Sequence, residues 1–130
     1  MRKDTKSFML SSEYDLTTAS HMYKTGRYVY VVFMCHMAIE KMLKAIAAEV
    51  TGKAPPRTHN LLYLIKLADI KIPQDLFDFV AKINNASVVT RYPEDFNKLI
   101  ESYPEKVVEE YLKDAERVLK WLKQNEKLKT

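Results

Sequence analysis

With 130 residues, 47 % of them hydrophobic and 29 % charged, the chain has the composition of an ordinary globular protein, and its length predicts one domain over residues 1–130. Two glycines against five prolines argue against a loop-rich all-β design, so we expect an all-α fold. The formal net charge of +4 at pH 7 raises the question of a nucleic acid partner.

The excess positive charge lies at the C-terminal end of the chain. Residues 117–130 carry a net charge of +4, so the rest of the chain is balanced. Acidic residues crowd the first half of the same predicted helix, which is the polarity that a helix dipole favours. We interpret the basic end mainly in this way, and a nucleic-acid-binding stripe stays the alternative.

The single cysteine, Cys35, lies in an apolar run and has no partner for a disulfide, which favours a reducing compartment. The longest apolar run, residues 28–39, is shorter than the roughly 18 residues that a membrane helix needs. We therefore expect a cytoplasmic protein without a membrane partner.

Two long helices open the predicted fold. The first runs from about Thr5 to Thr25 and ends at Gly26, which can take the left-handed conformation. The second runs from Arg27 to about Val50 and is apolar almost all round its first half, so it is predicted to be the central element. The short connection predicts that the two helices are antiparallel neighbours.

Three shorter helices are predicted after the proline-rich loop at residues 51–58. Thr58 is the predicted cap of a third helix over residues 59–69, and Pro73 begins a fourth over residues 73–83. Ser102 and Glu105 have the spacing of a capping box, so the last helix is predicted to begin there. The chain therefore has about five helices.

Residues 84–103 are predicted to be a long non-helical connection, because they contain asparagines, β-branched residues and a proline. Within it, Pro93 favours an extended backbone at Tyr92. The guanidinium of Arg91 beside that ring could hold a phosphate while the ring stacks on a base. The alternative is an arginine that only pins the loop by pairing with a carboxylate, of Glu40, Glu94 or Asp95.

Helix two carries His36, Glu40 and Lys44 four residues apart, so they share one face, and Lys41 projects about a hundred degrees away from Glu40. This polar seam either opens onto a site or consists of a buried, hydrogen-bonded histidine with a solvated ion pair beyond it. His59 follows a basic loop and could form a second wall of an anion site.

The usual catalytic and cofactor patterns are missing from the sequence. One cysteine and three histidines on separate elements give no metal-ligand spacing, and two glycines are too few for a phosphate-binding loop. Cys35 and His36 are neighbours that point apart on a helix, which does not suit a nucleophile and its base. We predict no metal, no cofactor and no catalytic residue of these kinds.

Four segments together resemble the HEPN domain family: DLTTA at residues 15–19, GRYVYVVFMCHMAIEKMLKA at 26–45, THNLLYLIKLA at 58–68 and VVTRYP at 88–93. The resemblance extends from about Asp15 to Leu122. It implies an up-and-down helical bundle, usually a symmetric dimer, with a cleft at the dimer interface. Family members act as RNases, as toxins or their paired partners, or as companions of minimal nucleotidyltransferases.

RNases of that family carry a histidine a few residues after the arginine, whereas no histidine follows His59 in this chain. We therefore expect a non-catalytic homodimer that binds a nucleotide or RNA phosphate and pairs with a minimal nucleotidyltransferase. The expected site residues are Arg91, Tyr92, Lys41, Lys44, Glu40 and His59. The alternatives are an RNase or toxin with an unconventional active site, and a purely structural interaction module.

Overall fold

The structure, a computed structural model, describes residues 1–129, which form an all-α bundle. The α-helices are α1 (Lys3–Lys24), α2 (Tyr28–Thr51), α3 (Leu61–Ala68), α4 (Gln74–Arg91), α5 (Phe96–Ser102) and α6 (Glu105–Lys123), and a 3₁₀ helix, Glu126–Leu128, follows them. The predicted all-α fold is confirmed, with one α-helix more than the sequence indicated. Thr130 lies outside the described residues.

Helix α2 is the centre of the bundle, as its apolar first half predicts. It packs against α1, α3, α4 and α6. Its buried side chains form most of the core, including Val32, Ile39 and Leu43, which are almost fully removed from solvent. A polar side chain on α2 is therefore held rigidly, and it is costly to bury unless it has hydrogen-bond partners.

The antiparallel pairing of α1 and α2 is also confirmed. Gly26 lies between them with φ of 77°, in the left-handed region that glycine adopts without strain. Arg2, before the start of α1, donates from Nη1 to the carbonyl of Gly52 at the end of α2 (2.7 Å). Asp15 and Lys41 form an ion pair between the middles of the two helices (2.6 Å).

Helix α3 is capped by Asn60, and the prediction of Thr58 as its cap was wrong. The Oδ1 atom of Asn60 accepts from the amides of Leu62 (3.1 Å) and Tyr63 (3.3 Å). The hydroxyl of Thr58 instead accepts from the amide of Asn60 (3.1 Å) and so supports the turn before the cap. Asn60 directly precedes the first residue of α3, so its side chain reaches the first free amides of the helix.

The predicted long connection over residues 84–103 was also wrong, because α4 continues to Arg91 and α5 begins at Phe96. Burial of Ser87 and Thr90 against the bundle outweighs the low helix propensity of this segment. Both hydroxyls bond within the helix, Ser87 to the carbonyl of Asn84 (3.0 Å) and Thr90 to that of Ser87 (3.1 Å). Only residues 92–95 link the two helices.

The predicted capping box of the last helix does not form. Ser102 ends α5 and donates its hydroxyl hydrogen to the carbonyl of Lys98 (2.9 Å). Pro104 is the N-cap residue of α6 and provides no side-chain hydrogen bond. Two helices, α5 and α6, begin in this part of the chain, whereas only one helix start was predicted.

No helix within residues 1–129 is both long enough and apolar enough to span a lipid bilayer.

Candidate functional site

Arg91, the last residue of α4, extends its side chain across to α2. Its guanidinium carbon lies 4.8 Å from the ring centroid of Phe33, which is a cation–π distance. Its Nη2 atom lies 3.4 Å from Nδ1 of His36 and 3.1 Å from the sulfur of Met37. His36 and Met37 follow Phe33 by three and four residues, so the three side chains lie on one side of α2 and together contact the guanidinium.

The tautomer of His36 follows from its two contacts. Its Nε2 atom lies 3.0 Å from the backbone carbonyl oxygen of His59, which can only accept, so Nε2 carries the hydrogen. Nδ1 is then the acceptor for Arg91. Burial of the imidazole lowers its pKa to about 4, and the nearby Arg91 cation acts in the same direction. The prediction of a buried, hydrogen-bonded histidine is confirmed, whereas the ion pair beyond it, Glu40 with Lys44, was expected to be solvated and is buried.

Glu40 is almost completely buried, yet it does not neutralise Arg91. Its Oε2 accepts from the ammonium of Lys44 (3.2 Å), four residues further along α2. Its Oε1 accepts from Nδ1 of His59 (2.7 Å). The carboxylate therefore has a cation on one oxygen and an oriented imidazole on the other. The predicted shared face of His36, Glu40 and Lys44 is confirmed.

The alternative in which Arg91 pins a loop through Glu40, Glu94 or Asp95 does not occur in the structure. Each of the ion pairs within residues 1–129 involves another cation. The Nε atom of Arg91 is buried and has no hydrogen-bond partner in this part of the chain. Its contacts, an aromatic face, a thioether and a neutral imidazole, leave the positive charge uncompensated.

The guanidinium borders an open depression of about 260 Å³ between α4 and the residues before α3. His59 lines it with a side chain that is 61 % exposed. Tyr92 forms its rim and is 78 % exposed, with φ of −130° and ψ of 62°, outside the helical region as Pro93 requires. Arg91, Tyr92 and His59 thus come together, as the sequence suggested.

Lys41 and Lys44 are placed differently from the predicted site. The ammonium of Lys41 is engaged by Asp15 of α1, so the structure does not bring it to the depression. Lys44 is buried and pairs with one oxygen of Glu40, and the other oxygen of Glu40 orients His59. Two of the six predicted residues, Glu40 and Lys44, are therefore supports of the site and do not line its wall.

Three amide side chains of the depression were not predicted: Asn60, Asn84 and Asn85. The asparagine pair at 84–85 was interpreted as a signal for a loop. On a helix, Asn84, Val88 and Arg91 fall on one face, since they are separated by four and three residues. A helical interpretation of residues 84–91 would have shown that the amides share a surface with the guanidinium.

We expect His36 to make folding stability depend on pH. Because its pKa is lowered from 6.5 to about 4, the folded protein binds fewer protons than the unfolded chain between these values. The free energy of unfolding should therefore fall as the pH drops from 6.5 to 4, by up to roughly 3 kcal/mol from this group. Urea unfolding of the wild type and of His36→Gln across this range measures the difference in slope. Equal slopes would show that His36 is not held neutral.

Comparison with known proteins gives a consistent family assignment. The model of the HEPN domain family matches residues 5–125. A curated relative from Methanocaldococcus jannaschii, named "Putative toxin MJ1304", is 32 % identical over 135 aligned positions, which cover 93 % of this chain and 87 % of the relative.

Two solved structures have the same fold. TT1696 from Thermus thermophilus superposes with a TM-score of 0.78 at 21 % identity, covering 95 % of this chain and 98 % of that one. ST0689, described as an archaeal HEPN homologue, superposes with a TM-score of 0.73 at 22 % identity, covering 95 % and 97 %. The family match over residues 5–125 shows that this chain belongs to the HEPN domain family.

Proposed function

We propose that this HEPN protein binds the phosphate of a nucleotide or of RNA in the depression beside Arg91. The observation that carries the proposal is the uncompensated guanidinium at the edge of an open cavity. An arginine cation usually pairs with a carboxylate when one is available, and here the buried carboxylate of Glu40, four residues from His36 on α2, is already engaged by Lys44 and His59. A phosphate would supply the missing negative charge.

The neighbouring side chains suit the rest of a nucleotide. The exposed ring of Tyr92 offers a face on which a base can stack. Arg91 is held by Phe33, His36 and Met37, so little entropy is lost when it takes a ligand. Lys41, bound to Asp15, is not part of the proposed site.

We also propose a homodimer. The end of α4 and helix α5 expose large apolar side chains around the site, namely Val88, Val89, Tyr92, Phe96 and Ile100. Such a concentration of apolar surface is typical of an interface. A second copy seated there would lie beside the depression and shield the bound phosphate from solvent.

We propose a minimal nucleotidyltransferase as the protein partner and the cytoplasm as the place where the pair acts. We also propose that residues 1–130 form a single domain. The support is the resemblance of the sequence to members of the family that act in such pairs. The name of the Methanocaldococcus jannaschii relative, a toxin, fits a paired role.

RNA cleavage is a second candidate, favoured by the position of His59 beside Arg91. Because Nδ1 of His59 donates to Glu40, its Nε2 atom is the proton acceptor. That atom could take the proton of a ribose 2′-hydroxyl while O2′ attacks the phosphorus held by Arg91. The bond from phosphorus to the 5′-oxygen would break, the proton would pass to that oxygen, and a 2′,3′-cyclic phosphate would remain.

Replacing Arg91 tests phosphate binding. Arg91→Ala should weaken binding of a short single-stranded RNA about 10- to 100-fold, since a hydrogen bond to a charged group is lost. The affinity of Arg91→Lys should lie between those of the wild type and Arg91→Ala, because the charge stays and the planar guanidinium is lost. Arg117→Ala is the matched control, since Arg117 is exposed and pairs with Asp75 and Asp114.

Fluorescence anisotropy gives the affinities, and circular dichroism shows whether the variants are folded. Equal affinity of the wild type and Arg91→Ala would exclude this site. A protein complex without any nucleotide signal would favour the purely structural interaction module.

An RNA cleavage assay separates binding from turnover. We expect intact RNA after incubation with the purified wild type, because the histidine after the arginine is missing. Cleavage that yields 2′,3′-cyclic phosphate ends and disappears in both Arg91→Ala and His59→Gln would replace the binding proposal by the second candidate.

Solution size tests the assembly. Light scattering on a size-exclusion column should give twice the 15.2 kDa chain mass at micromolar concentration. Val89→Lys places a charge in the exposed apolar surface and should shift the mass to that of a monomer, whereas Leu10→Lys, the same change at an exposed apolar residue of α1, should not. Adding the candidate nucleotidyltransferase should form a larger complex. A monomeric wild type would contradict the dimer.

A further inference from the structure

The amide of Asn84 is fixed with its hydrogen-bond donors free. Its Oδ1 atom accepts from the backbone amide of Leu61, the first residue of α3, at 2.9 Å. The oxygen and nitrogen of this side chain are thereby distinguished, since only the oxygen can accept that hydrogen. The NH₂ group makes no hydrogen bond within residues 1–129, and the residue lines the depression beside Arg91.

Asn60 repeats the arrangement on the opposite wall. Its Oδ1 atom caps α3 by accepting from the amides of Leu62 and Tyr63. The NH₂ group of Asn60, an exposed residue, makes no hydrogen bond within residues 1–129. Both walls of the depression therefore carry an amide whose acceptor is used and whose donors are available.

Three backbone acceptors around the depression are also occupied. The carbonyl of Asn84 accepts from the hydroxyl of Ser87, that of Ser87 from the hydroxyl of Thr90, and that of His59 from the ring of His36. Arg91 can only donate.

Of the other acceptors, Oδ1 of Asn85 and Nε2 of His59 belong to exposed side chains that water can satisfy. The backbone carbonyls of Arg91 and Tyr92, at the end of α4, accept no hydrogen bond from within residues 1–129 and are also acceptors of the lining. Among these groups, the part-buried Asn84 presents a fixed donor to the depression.

A wall of donors distinguishes the nucleobases. Uracil and guanine present carbonyl oxygens at the positions where cytosine and adenine present amino groups. A donor facing an amino group leaves both groups without a partner, which costs more than a matched pair gains. Uridine and cytidine nucleotides are nearly the same size and differ in two neighbouring groups: the O4 acceptor of uracil is an amino donor in cytosine, and the N3–H donor of uracil is an N3 acceptor. Their comparison therefore tests whether the donors of the depression face the carbonyl position of the base.

We propose that the depression selects nucleotides whose base presents carbonyl oxygens, uracil or guanine, through the fixed donors of Asn84 and Asn60. This selectivity rests on the proposed phosphate binding by Arg91. Arg91 supplies affinity for any nucleotide, Tyr92 supplies a stacking face that suits every base, and the two amides supply the discrimination.

The test compares uridine and cytidine 5′-monophosphate in nuclear magnetic resonance titrations of the full chain. The wild type should bind the uridine nucleotide about tenfold more tightly. Asn84→Asp keeps an oxygen for the amide of Leu61 and replaces the NH₂ donor by an acceptor, so the preference should vanish or reverse. Its added negative charge weakens binding of both nucleotides, and therefore the ratio of the two dissociation constants is the measured quantity.

Asn125→Asp is the matched control. Asn125 also accepts a backbone amide hydrogen through Oδ1, that of Lys127 at 2.9 Å, and it does not line the depression. Its substitution changes the same atoms and the same charge, and the tenfold ratio should persist.

Equal binding of both nucleotides by the wild type, with both weakened in Arg91→Ala, would overturn the selectivity and leave the phosphate site intact. A preference that survives Asn84→Asp would also overturn it. Failure of either nucleotide to bind would overturn both proposals.

Discussion

The candidate site depends on one hydrogen-bonded imidazole. His36 is buried on the central helix and gives its single hydrogen to the backbone carbonyl of His59, so its other nitrogen must face Arg91 as an acceptor. Three elements meet at this ring: α2, the segment before α3 and the end of α4. Because the ring is neutral, it positions the guanidinium without cancelling its charge.

The carboxylate nearby is kept away from Arg91 by its other partners. Glu40 accepts from Lys44 and from His59, so the buried negative charge is balanced within its own group. A buried carboxylate with a free oxygen would be expected to attract the arginine. Glu40 and Lys44 thus form a charge-balanced pair that orients His59. The guanidinium of Arg91 remains available to a ligand.

Much of this organisation could be predicted from the sequence. The apolar run of α2 indicated its central position, and the four-residue spacing placed His36, Glu40 and Lys44 on one face. The helical nature of residues 84–91 was missed, because asparagines and β-branched residues have low intrinsic helix propensity and burial in the bundle outweighs it. The asparagine donors were missed with it.

Other features depend on contacts between distant parts of the chain. Lys41 was expected among the site residues, but the helix turns it toward Asp15, which is brought there by the packing of α1. The partner of Arg91 likewise depends on how α4 crosses α2. Tertiary packing decides such pairs, and the spacing of residues along one helix carries no information about it.

The protonation of His36 tests the account most directly. Nitrogen-15 resonance spectra of the imidazole, recorded between pH 5.5 and 8, distinguish a protonated from an unprotonated ring nitrogen. We expect a neutral ring throughout, with hydrogen on Nε2 and a bare Nδ1. A doubly protonated ring in this range, or hydrogen on Nδ1, would contradict it, because Arg91 would then have no acceptor there.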